Sequence, residues 1–309
     1  MAQTREQPAS HVRPMPERLA GAPISWGACE VPGWGRMPDA ETVLAEMVQL
    51  GLHGTELGPP SFLPAEPGAL SARLRHHGLR FVGTFTPLAL HDPDLEATAR
   101  HARRAIDLLA GAGGQVLVVA AVQDLAWSTP EPLDDAGWRR LAAHSAEIQA
   151  LAAEHGITFA LHPHVGTVIE TADQVSRALA ETEVGWCLDT GHLLIGGTDP
   201  AAFAREHGDR ITHVHLKDVD DAMAAELRAG RLSLLQATQL GLFVALGRGG
   251  AHVATVLRAL DDHGYDGWLV LEQDTAITAD EPAVDSGALR DAAESIAFIN
   301  SAQTEEINR

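Results

Sequence analysis

A chain of 309 residues, 45% of them hydrophobic, carries enough apolar material for a large core, which excludes disorder across its bulk. Its formal charge of −20, from 22 Lys and Arg against 42 Asp and Glu, repels phosphate backbones and anionic lipid, and so speaks against nucleic-acid and membrane partners. Two cysteines, Cys29 and Cys187, are too few for a disulfide framework and fit a reducing, cytoplasmic setting; no apolar run is long enough to span a bilayer, and no secretory signal is legible near Met1.

In chain order, residues 1–18 are polar and proline-containing and are expected to form a loose arm, followed by one domain over 19–303 and a frayed tail over 304–309. Within the domain, short apolar runs at 22–26, 54–57, 80–85, 116–121, 158–162, 185–189, 212–216 and 268–272 read as buried strands. Segments with helical spacing follow them: 40–50, with Val43, Leu44, Met47 and Leu50 on one face; 138–155, with Leu141, Ile148, Leu151 and Ala152; and 253–263, with Val256, Leu257 and Leu260. Gly51, Gly78, Gly156 and Gly264 stand where helices should hand over to strands, as left-handed caps. Strict alternation of about eight strands with helices predicts an α/β fold of the (β/α)8 TIM-barrel kind. An open doubly wound sheet is the runner-up, disfavoured by the lack of a G-x-G-x-x-G after the first strand. One connection is too long: residues 218–250, after the seventh strand, form an insertion expected to cover the catalytic face. The other reading is an oligomer contact, so a homo-oligomer stays open.

Chemistry in a barrel sits where strands end. Glu56 ends the second strand, His162 and His164 the fifth, Asp189 and His192 the sixth, His213, His215 and Lys217 the seventh, and Glu272 the eighth. Unpaired charge is costly in apolar runs, so carboxylates and imidazoles at five strand ends point to one shared mouth. That donor set suits a divalent metal such as Mn2+, Co2+ or Zn2+. Strand alternation puts His213 and His215 on one side. His215, nearer the mouth, is the favoured ligand, and His213 lies behind it or touches substrate. Trp26 and Trp34 flank a glycine-rich first loop and read either as a wall for a sugar ring or as core. Plainer readings stand beside these: Glu56 as an ion-pair partner, Asp189 as a helix N-cap, Lys217 as a structural salt bridge, His164 as a loop cap. Asp218 and Asp274 read as loop or capping residues.

Pro23-Ile24-Ser25-Trp26-Gly27, Glu56-Leu57-Gly58, His162-Pro163-His164-Val165-Gly166-Thr167, Asp189-Thr190-Gly191-His192, His213-Val214-His215-Leu216-Lys217-Asp218 and Leu271-Glu272-Gln273-Asp274 together resemble the xylose isomerase-like barrel superfamily. Within it, the strand-five motif and the stretch from Gly241 to Gly249 are most similar to the inosose dehydratases of inositol catabolism. The resemblance runs from about Gly21 to Ser301. It implies a metal held by His162, Asp189, His215 and Glu272. Sugar epimerases and isomerases of the superfamily usually carry a glutamate where this chain has His162. Half of their two-carboxylate proton relay is therefore missing, which speaks for the dehydratase branch and leaves Glu170 or His164 as substitute ligands. The implied reaction is dehydration of a polyhydroxylated ketone, 2-keto-myo-inositol, through an enolate. Lys217 and the metal would hold the enolate, with Glu56, His164, His192 and Glu272 available to move protons. Rival readings are a keto-sugar or keto-inositol isomerase or epimerase, and a lyase eliminating from 3-keto-glycosides. Cleavage of abasic DNA, known for this barrel, conflicts with the −20 charge, and a non-catalytic binding barrel conflicts with the polar constellation.

Overall fold

The computed structural model describes residues 15–278 and 287–307. Its strands are β1 (Leu19–Gly21), β2 (Gly54–Thr55), β3 (Arg80–Phe81), β4 (Gly83–Leu88), β5 (Val116–Ala121), β6 (Thr158–Leu161), β7 (Trp186–Asp189), β8 (Ile211–Leu216), β9 (Asp218–Val219), β10 (Phe243–Val244) and β11 (Leu269–Leu271). The helices are α1 (Ala40–Gln49), α2 (Pro67–His77), α3 (Leu95–Ala112), α4 (Asp135–Glu154), α5 (Ala172–Glu181), α6 (Thr190–Ile195), α7 (Pro200–His207), α8 (Asp221–Arg228), α9 (Leu234–Gln239), α10 (Val253–Asp262) and α11 (Gly287–Ile307).

The main sheet is parallel throughout, in the order β3-β2-β1-β11-β8-β7-β6-β5-β4. β3 and β4 are one stave interrupted at Val82. The Val82 N–H donates to Thr55 O at 2.9 Å, and its carbonyl accepts from the N–H groups of Gln115 and Val116 at 2.9 and 3.0 Å. Those bonds close the ring, which makes the sheet the expected barrel. Every residue of β5 is buried, as a strand with helices outside and packed side chains inside requires.

Local chemistry sets the outer helices. Asp39 caps α1 by accepting the Thr42 N–H, and Val43, Leu44 and Met47 turn inward one helical turn apart. α3 buries Ala102, Ile106 and Leu109 at the same period. Gly51, Gly78, Gly156 and Gly264 all have positive φ, as expected of caps.

The first apolar run departs from expectation. The strand is Leu19–Gly21, and Pro23–Trp26 is a 3-10 turn closed by Gly27 at φ 88°. Pro23 has no N–H to give a sheet and fits the first position of a turn. The proposed arm also ends early among the described residues. Met15 and Arg18 are buried, and the Arg18 guanidinium donates to Tyr265 O at 2.7 Å. Of the expected tail, the backbone through Ile307 continues α11, and 308–309 lie outside the described residues. No described helix is long and apolar enough to cross a membrane.

The insertion is folded. β9 and β10 pair antiparallel, and Leu242 and Phe243 pack with Val165, Ile195 and Val219 in a small core of their own. The Asp218 carboxylate gathers the N–H groups of Val219, Gly247, Gly249 and Ala251 at 2.9–3.0 Å. Gly249 and Gly250 are packed: a Cβ would collide with Val219 O at one and with the Asp221 carboxylate at the other. Across the mouth, Gln239 donates to Gly33 O at 2.7 Å, tying the insertion to the first loop.

Candidate active site

Asp189 is the last residue of β7 and the N-cap of α6. Its Oδ1 accepts the His192 N–H at 2.7 Å, which leaves Oδ2 to face the barrel mouth. Thr190 locks the neighbouring strand end: its hydroxyl donates to Lys217 O at 2.5 Å and accepts the Lys217 N–H at 2.8 Å. A Cβ on Gly191 would lie 2.6 Å from Lys217 Cγ, so the lysine stem runs over a position that only glycine leaves open. The Asp-Thr-Gly-His motif thus serves both readings, cap and site, with one oxygen for each.

Around Asp189 Oδ2 stand His162 Nε2 at 3.3 Å, His215 Nδ1 at 3.6 Å and Lys217 Nζ at 3.6 Å. Glu272 closes the ring: Oε1 lies 3.4 Å from Lys217 Nζ, and Oε2 faces His215 Nδ1. Asp189, His215 and Glu272 each bring one ligand atom within 4.8 Å of the others; His162, Asp189 and His192 do the same. His215 Nδ1 and Glu272 Oε2 are buried, face each other, and lack a well-formed hydrogen bond. Buried ligand-type atoms left in that state fit a divalent cation, which satisfies several such groups at once. Lys217 is fully buried. Its ammonium donates to Asp274 Oδ1 at 2.8 Å and to His192 Nε2 at 3.2 Å, and lies 5.1 Å from the ring centroid of Phe243, contributed by the insertion.

The electrostatics divide these groups. Burial disfavours the charged lysine, but Asp189, Asp274 and Glu272 outweigh it and raise Lys217 above its ordinary value. Burial works against the Glu272 carboxylate too, yet His215 and Lys217 bring it down to about 2. Burial lowers His164 to about 3 and holds His192 well below the usual histidine range, helped in both by neighbouring imidazoles and Lys217. These two rings, 3.9 Å apart at their centroids, are therefore neutral donor–acceptors. Burial and Glu272 push Asp274 up to about 6, against the pull of Lys217.

The family model of the xylose isomerase-like TIM barrel matches residues 44–302. The chain belongs to that family. It is 34% identical over 267 residues to an inosose dehydratase of Erwinia tasmaniensis, covering 82% of this chain and 89% of that protein. It is 32% identical over 265 residues to a rhizopine catabolism protein of Rhizobium meliloti, covering 82% and 81%. Among solved structures, an L-ribulose 3-epimerase superposes with a TM-score of 0.67 at 20% identity over 94% of this chain and 96% of that one. A probable 3-DHS dehydratase of Bacillus anthracis gives 0.65 at 15% identity over 92% and 98%. At such identities the structural likeness speaks for the fold alone. The sequence kinship makes the chain an inosose dehydratase-like member of the family.

Within that family barrel, the structure brings His162, His164, Asp189, His192, His215, Lys217 and Glu272 to one mouth. Four residues weighed for the site are placed otherwise. Trp26 and Trp34 are 2% and 5% exposed, and their indole N–H groups donate to Glu46 Oε2 and Thr275 O, each at 2.8 Å, so they pack as core and form no wall for a ring. His213 is fully buried behind His215, with its Nε2 on Glu56. Glu170, the substitute ligand, accepts the Gly166 N–H at 2.8 Å. Two features escaped the sequence. Asp274, set aside as a loop residue, is the buried partner of Lys217. Phe85 and Trp127 stack at 6.1 Å between centroids, 36% and 43% exposed, with Phe85 edge-on to His162 and Trp127 edge-on to His164. Asp124 fixes the turn bearing Trp127 by accepting the N–H groups of Ala126 and Ser128.

Proposed function

We propose that the chain is a cytoplasmic hydro-lyase of inositol catabolism that dehydrates 2-keto-myo-inositol, or a closely related polyhydroxylated ketone, with Mn2+ or Co2+ as cofactor and Zn2+ as a substitute. One observation carries the reading. In a chain 34% identical to an inosose dehydratase, the free ends of Asp189, His215 and Glu272 converge beside a buried lysine. His162, Asp189, His215 and Glu272 would hold the cation, which when bound polarises a ketone and acidifies the neighbouring C–H.

The chain's own groups supply the remaining steps. Glu272, with a side chain 14% exposed, is the most open carboxylate of the ring and is placed to take the α-proton. Lys217 stays charged and offsets the negative charge that develops as the enolate forms. Glu272 then gives its proton to the β-hydroxyl, which departs as water while the enolate's electrons form the new carbon–carbon double bond. The neutral imidazoles of His164 and His192 hydrogen-bond the hydroxyls of a polyol without introducing charge. Phe85 and Trp127 offer the carbon face of the ring an apolar wall. Phe243 and the rest of the insertion keep water away from Lys217.

Proton NMR of the Mn2+-treated protein with 2-keto-myo-inositol and a panel of keto-sugars tests this. The expected result is replacement of the substrate's signals by those of the dehydrated dione. Exchange of the α-proton in heavy water with every hydroxyl retained would identify an isomerase or epimerase instead. Loss of a glycosidic group from a 3-keto-glycoside, without dehydration of inosose, would identify the other lyase.

A further inference from the structure

Glu56 has the residue type of a proton carrier but not the surroundings of one. It follows β2, across the barrel from β8, and its side chain is 6% exposed. One oxygen, Oε1, lies 2.9 Å from His213 Nε2 and 3.1 Å from His215 Nε2, and both imidazoles are essentially sealed from solvent. An ionised carboxylate oxygen only accepts hydrogen bonds, so each of those nitrogens must carry a proton. A single oxygen within hydrogen-bond distance of two imidazole nitrogens is placed to accept from both. An imidazole with its proton fixed at Nε2 has its lone pair at Nδ1. In His215 that atom is the one beside Asp189 Oδ2 and Glu272 Oε2.

We infer that Glu56 is a positioning residue. By accepting from Nε2 of His215 it selects the tautomer whose Nδ1 lone pair is aimed into the mouth, as a ligand for the divalent cation. His213 is the second strut, holding the same oxygen from below, and its placement two residues before His215 on one strand lets a single carboxylate reach both. This arrangement removes Glu56 from the proton-handling groups and gives His213 a place behind His215. Outer hydrogen-bond partners of this kind fix the ring orientation and basicity of a metal-bound histidine, and their loss typically weakens metal affinity by roughly 10–100-fold. The inference rests on the proposed cation at the mouth and is independent of which ketone is the substrate.

The test uses metal alone. Mn2+ affinity is measured by titration calorimetry for the wild type, Glu56→Gln, His213→Gln and Asp189→Ala, and histidine 15N shifts are recorded on the Zn2+-loaded wild type. The expected outcome is a protonated Nε2 and a metal-shifted Nδ1 at His215, with Mn2+ binding weakened roughly 10–100-fold in Glu56→Gln, less in His213→Gln, and abolished in Asp189→Ala. Unchanged affinity in a folded Glu56→Gln overturns the inference and leaves the cation reading intact. A proton on Nδ1 of His215 in the Zn2+-loaded wild type overturns it even if Glu56→Gln fails to fold. Binding lost in Glu56→Gln and His213→Gln but kept in Asp189→Ala places the cation on Glu56 itself and overturns it as well. Absence of Mn2+ binding by the wild type removes the cation reading and this inference together.

Discussion

The two halves of the barrel mouth are built differently. From β6 round to β11, strand ends carry His162, Asp189, His215, Lys217 and Glu272, all turned toward each other. From β1 round to β5, the hydroxyls of Thr55, Thr84 and Thr86 bond their own backbone, and the exposed surface is the Phe85–Trp127 stack. Glu56 is the exception: it starts on the quiet half, and its carboxylate reaches two histidines of the charged one. Separation of this kind lets one half concentrate costly buried charge, each member paired with another, while the other half supplies shape.

Four substitutions break or sharpen that contrast. Asp189→Ala removes the carboxylate on which the charged half converges; metal analysis is expected to show essentially all bound Mn2+ lost, and full occupancy would refute the ligand assignment. Lys217→Met keeps much of the stem over Gly191 but removes the charge. A fall in kcat of about 10²–10³-fold is expected, the scale for losing one donor to a developing oxyanion, with Mn2+ affinity retained. Steady-state kinetics with a small change in kcat would make Lys217 a structural ion-pair partner. On the quiet half, Trp127→Ala should raise KM about 10-fold, equivalent to about 1.4 kcal/mol, with little change in kcat. If kcat falls as well, the aromatic wall does more than hold substrate. The smallest kinetic effect belongs to Trp26→Phe. It deprives Glu46 of its donor inside the core, and chemical denaturation should register a loss of about 1–3 kcal/mol while kcat and KM stay put. A rise in KM would return Trp26 to the substrate surface.

The staves were legible because parallel strands covered on both faces read as unbroken apolar runs, as at Val116–Ala121. The run that misled was 22–26, since an apolar stretch of that length is equally a buried turn, and only Pro23 hinted at which. The ring of charges was legible for the opposite reason: Asp189, His215 and Glu272 are out of place in apolar strands unless something pairs them. Asp274 was hidden because it lies past the end of β11, where an acidic residue has many ordinary uses. Phe85 and Trp127 were hidden because nothing in sequence tells an aromatic that lines a mouth from one that fills a core. Trp26 and Trp34, in a more suggestive setting, went inside.

The Asp218 carboxylate has a consequence for how such a barrel changes over time. It grips the chain both where residues 218–250 leave the ring and where they rejoin it, through the N–H groups of Val219, Gly247, Gly249 and Ala251. The two crossings are thereby stitched side by side, and the ring beneath feels the stitch and not the length of thread beyond it. Extending an already closed flexible loop is cheap, about 0.6 kcal/mol for each doubling. The socket therefore accepts inserts of other sizes, and a graft that keeps Asp218 and the glycines around it can give the same charged mouth a different roof.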